Sequence, residues 1–143
     1  MNFWLIGSGA VAAFMLIGHA TMGRKQFFLP MLDVSFDPAA KRVMEFVWHM
    51  ATAALVLPPI VLLYAGFTGA GGEAMKFVIA YLALQFGAWG AVHLLVISTA
   101  GIPGAVYKLF QWSFFLAVGG LACLWGRPRQ GGAVVDLAQV ECL

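Results

Sequence analysis

Four apolar runs, each long enough to cross a hydrocarbon core of about 30 Å, constrain this chain more than any other feature. The spans they predict cover about 3–22, 43–67, 75–99 and 105–125, leaving 126–143 as a short tail. Composition agrees: 62% of the residues are hydrophobic and only 10% charged. A soluble domain carries about a quarter charged residues, and a water-soluble fold this apolar would lack the polar surface to cover itself. The expected fold is therefore an all-α integral membrane protein, an up-down bundle of four transmembrane helices forming a single domain.

The first run starts at Phe3. Its Met1-Asn2-Phe3 start lacks the positive n-region of a signal peptide, so it is read as a retained span, continuing as helix as far as Gln26. Small residues (Gly7, Ser8, Gly9, Ala10, Ala12, Ala13) crowd its first half, which predicts close packing against another helix. Gly23-Arg24-Lys25 marks the water interface. The stretch from Gln26 to Pro38 is too apolar for a solvated loop and is expected to lie in the interface or over the helix ends.

Asp37-Pro38 has the form of a helix start, with Asp37 as N-cap and Pro38 at the first helical position. Pro58-Pro59 falls inside the second span. Two prolines remove two backbone donors, which predicts a kink there. Thr68–Glu73 and Gly101–Gly104 read as turns. Trp4 and Trp125 fall at one predicted boundary, Trp48 and Trp112 at the other, and Trp89 lies deeper.

Polar groups within the spans are the candidate site. His19 lies about 7 Å inside the Arg24-Lys25 boundary at 1.5 Å per residue. With successive spans antiparallel, His49, His93 and Gln111 come out at about the same depth, some 7–10 Å below the same surface. Glu45 stands one turn from His49 on its helix face, near the level of Lys108. Ionisable groups in a span turn to a bundle interior, a partner or a water-filled cavity.

Three readings of that cluster follow. Imidazoles of His19, His49 and His93 with Glu45 would suit zinc, iron or copper, and Met15 and Met22 beside His19 would tilt the choice toward copper. Two of the histidines could be axial ligands of haem b, with Gly87 and Gly90 making room. Histidine, Glu and Gln could also relay protons. Against all three stands a purely structural polar cluster, with Met15 and Met22 as core fillers and Glu45 in an interfacial ion pair with Arg42 or Lys108. Gln85, near mid-membrane, reads as an interhelical hydrogen-bond partner.

The sequence holds no metalloprotease, hydrolase, nucleotide-binding or dinucleotide-binding motif, no nucleophile–base pair and no repeat between its halves. The eight Lys and Arg residues are scattered, which argues against a nucleic-acid partner. Cys123 and Cys142 form no C-x-x-C, and Cys123 reads as a small packing residue within the last span. The expected function leans away from catalysis, toward an accessory or structural subunit of a larger membrane assembly or a homo-oligomer. A metal- or haem-binding redox or metal-handling protein and a small proton or ion conductor are the alternatives. Five cations (Arg24, Lys25, Lys41, Arg42, Lys108) against three (Lys76, Arg127, Arg129) place the His side in the cytoplasm, with both termini outside.

Overall fold

The computed structural model describes residues 1–126, so all but the first residue of the tail expected over 126–143, Cys142 included, lies outside the described residues. These residues are helical, with no strand among them. Three helical stretches, Phe3–Asp33, Pro38–Thr68 and Glu73–Thr99, are long and apolar enough to cross a membrane. The chain is a multi-pass integral membrane protein.

The first stretch has three parts: α1 (Phe3–Gly18), a π-helical segment (His19–Phe28) and α2 (Leu29–Asp33). Asn2 caps α1, its side-chain oxygen accepting from the Trp4 and Leu5 amides at 3.0 and 3.3 Å. The helix was expected as far as Gln26; it runs on to Asp33. The register returns from π to α at Pro30, whose ring nitrogen has no hydrogen to leave unpaired.

Helix α3 spans Pro38–Thr68. It starts as expected, with Asp37 Oδ1 accepting from the Ala40 amide at 2.9 Å and Pro38 in the first turn. It continues through Pro58 and Pro59, both buried, to a left-handed Gly69 with φ 69°. Lys41 Nζ donates to the Leu32 carbonyl at 2.5 Å, tying the start of α3 back to the end of α2.

After a four-residue turn comes α4, Glu73–Thr99. The fourth apolar run was expected as one span over 105–125. It is broken instead into α5 (Ala105–Lys108) and α6 (Gln111–Leu124), with Leu109 at φ −114°, ψ 56° between them. The 14 residues of α6 rise about 21 Å, short of a full hydrocarbon core. Trp112 Nε1 donates to the Val106 carbonyl at 3.1 Å and so satisfies one of the acceptors the break sets free.

Neighbouring helices run antiparallel, and their contacts give the register. Asn2 N–H donates to the Gly66 carbonyl at 2.7 Å, pairing the start of α1 with the end of α3. Ser8 Oγ donates to the Val118 carbonyl at 2.8 Å and Phe14 meets Phe114 at 5.7 Å, pairing α1 with α6. Gly90 lies against Leu116, and Gly119 against Ala83 and Phe86, pairing α4 with α6. The packing order is therefore α3–α1–α6–α4. The core, with Leu5, Ala12, Leu62, Phe86 and Val118, follows these three seams. Helices α3 and α4 are consecutive in the chain but touch only marginally.

Candidate functional site

The candidate residues do not converge on one point. His19 and His49 belong to a cluster between the π-helical segment and α3. His19 stacks on Trp48 with ring centroids 4.0 Å apart and planes 18° from parallel. Phe28 stacks on the same Trp48 at 5.0 Å and 20°. The edge of the pair meets His49, whose ring lies 5.7 Å from Phe28 at 71°.

The π register is what allows this. At about 100° per residue, an α-helix would set His19 and Phe28, nine residues apart, on opposite faces. Bonding from i to i+5 gives roughly 4.4 residues per turn, so nine residues make about two turns and return to one face. Gly23, midway between them, leaves room for the indole: a Cβ there would lie 3.1 Å from Trp48 Cη2.

The hydrogen bonds of the cluster close on themselves. Thr52 Oγ1 donates to the Trp48 carbonyl at 2.9 Å. A hydroxyl has one proton, so in the 2.9 Å contact between His19 Nε2 and Thr52 Oγ1 the imidazole donates. That makes His19 the Nε2–H tautomer, with its lone pair on Nδ1. The chain ends on a backbone carbonyl, which accepts a proton bond but passes nothing on.

His93 sits elsewhere, on α4, its ring 5.9 Å from Phe115 of α6. Near it the fourth run is broken, and the Ser113 amide bonds to the Phe110 carbonyl. Among the described residues, no group of three or more His, Cys, Asp or Glu side chains stands close enough to hold a metal ion.

The supporting residues also scatter. Glu45 pairs with Arg42 at 2.6 Å, one helical turn away, rather than orienting His49. Lys108 is exposed. Met15 is buried in the core, whereas Met22 is 52% exposed, so the two do not flank His19 on one face. The change from α to π periodicity at His19 separates them. Gln111 Oε1 is buried without a hydrogen-bond partner among the described residues. Reasoning from α-helical spacing missed Phe28, Gly23 and Thr52 as parts of the His19 cluster. Only Thr52, one turn from Trp48, carried a signal that spacing could show.

No protein-family model, curated protein or solved structure matches this chain.

Proposed function

We propose that the protein is a small accessory or structural subunit of a larger membrane assembly or homo-oligomer. Within that reading, α5 and α6 complete a fourth crossing and the four crossings form an up-down bundle, with the His side facing the cytoplasm. The observation that carries it is the open packing order. In a closed bundle every helix has two neighbours. Here α1 and α6 have two, while α3 and α4, the longest continuous α-helices, are each covered along one side only.

Leu57, Ile60, Tyr64 and Phe67 on α3, and Phe77, Tyr81, Leu84 and Leu95 on α4, stand out from the fold. Lipid can cover such faces, and so can partner helices. The polar groups support the same reading. The histidine cluster spends its bonds internally, on Trp48 and Thr52, as a tie between two helices does.

The test is the mass of the particle extracted gently from its own membrane, by light scattering corrected for detergent. Assembly predicts a protein mass at least twice the 15.3 kDa of one chain, or stable co-elution with other membrane proteins. A lone 15.3 kDa monomer across mild detergents and native nanodiscs would overturn the proposal.

A further inference from the structure

The outer face of α4 carries a seam. Phe77, Tyr81, Leu84, Ala88, Ala91 and Leu95 follow one another at alternating steps of four and three, the spacing by which two helices interlock side chains along a shallow left-handed crossing. All six are exposed, while Ile79, Leu82, Ala83, Phe86 and Gly90 bury the opposite face. An apolar face alone would need nothing but lipid. This one holds a polar pair near the middle of the helix.

Tyr81 Oη donates to Gln85 Oε1 at 3.0 Å. Among the described residues the two N–H groups of the Gln85 amide have no acceptor, and its oxygen keeps one lone pair. Gln85 lies about 18–21 Å from either end of α4, beyond the reach of its short side chain to water. An unsatisfied donor in hydrocarbon costs several kcal/mol. At the matching depth, the outer face of α3 presents Ala53, Val56, Leu57 and Ile60, with no polar group to satisfy.

We infer that the α4 seam binds a second copy of this chain, deepening the assembly reading on which it rests. Gln85 is self-complementary, with free donors and a free acceptor on one amide. A two-fold axis along the membrane normal brings the copy's Gln85 to the same depth without further design. Each amide then donates to the oxygen of the other, giving two reciprocal bonds, while each oxygen still accepts from its own Tyr81. Ala88 and Ala91, the next two seam positions, let the parallel α4 helices approach closely just beyond those bonds.

The experiment is disulfide crosslinking in native membranes. A C123S/C142S background receives Ala88→Cys on the seam or Leu57→Cys on the outer face of α3, and copper–phenanthroline is the oxidant. Ala88→Cys is expected to give a band at twice the chain mass and Leu57→Cys none. Adding Gln85→Leu should reduce the Ala88→Cys band severalfold. Crosslinking at Leu57→Cys but not Ala88→Cys would overturn the α4 seam and leave the assembly reading standing. A Ala88→Cys adduct with a different protein would overturn the second copy as occupant. An Ala88→Cys band undiminished by Gln85→Leu would remove the amide pair as its cause. No crosslink at either site, together with a monomer on extraction, would end both proposals.

Discussion

Gly119 shows how little slack single positions on α6 have. A Cβ there would lie 2.9 Å from the Ala83 carbonyl oxygen and 3.3 Å from the Gly87 nitrogen, backbone atoms that cannot swing aside. Gly119→Ala must therefore push α4 and α6 apart, at a cost of about 1–3 kcal/mol. Gly87 supplies the control: nothing lies within 4 Å of a Cβ built there. Gly87→Ala should be neutral or stabilising by up to about 1 kcal/mol, since alanine favours the helix. Unfolding titrations with SDS in mixed micelles would compare the two, and equal midpoints would contradict the close approach. Glycines of both kinds look alike in sequence. Which of them separates two backbones depends on the rotation of each helix, and an all-round apolar helix does not reveal its rotation.

At the scale of elements, the π-helical segment is the least expected feature. Its wide turns hydrogen-bond less favourably than α turns, so a run from His19 to Phe28 needs compensation. Trp48 provides it by stacking on both ends. Aromatic pairs are worth about 0.5–1.5 kcal/mol each, so Trp48→Ala should destabilise the fold by roughly 1–3 kcal/mol. It should also speed amide hydrogen exchange selectively across 19–28, and Trp48→Phe should restore most of the protection. Unchanged exchange in Trp48→Ala would mean that the segment holds its register without the indole.

The same element marks the limit of what the sequence made legible. Helix starts were readable where a side chain has a local job, as with Asp37 and Pro38. The long spans were readable because hydrocarbon demands length and low polarity. A switch from 3.6 to about 4.4 residues per turn has no such signature, because what favours it is a tryptophan on another helix. The depth argument carried no information on which helix faces meet, because apolar helices do not reveal their rotation. It could not show that His93 faces Phe115, across a different seam.

At the scale of the whole molecule, the packing order sorts the chain into an early half and a late half. Helices α1 and α3 are sequence neighbours and pack on each other, and so are α4 and α6. The marginal contact between α3 and α4 leaves the Gly69–Gly72 turn as a tether rather than a hinge under load. Each hairpin can thus pair as it leaves the ribosome and enters the bilayer, with only short loops to close. On that order the union of α1 with α6, joined by Ser8 against Val118 110 residues away, is expected to come last. A gene cut within the turn should then still yield protein: fragments 1–70 and 71–143, translated separately in one cell, should find each other and copurify through a tag on either. Fragments that are each degraded when co-produced would show that the tether carries information the helix faces lack. If they reunite, the turn is the place where this chain tolerates an insertion, a reporter or a second reading frame.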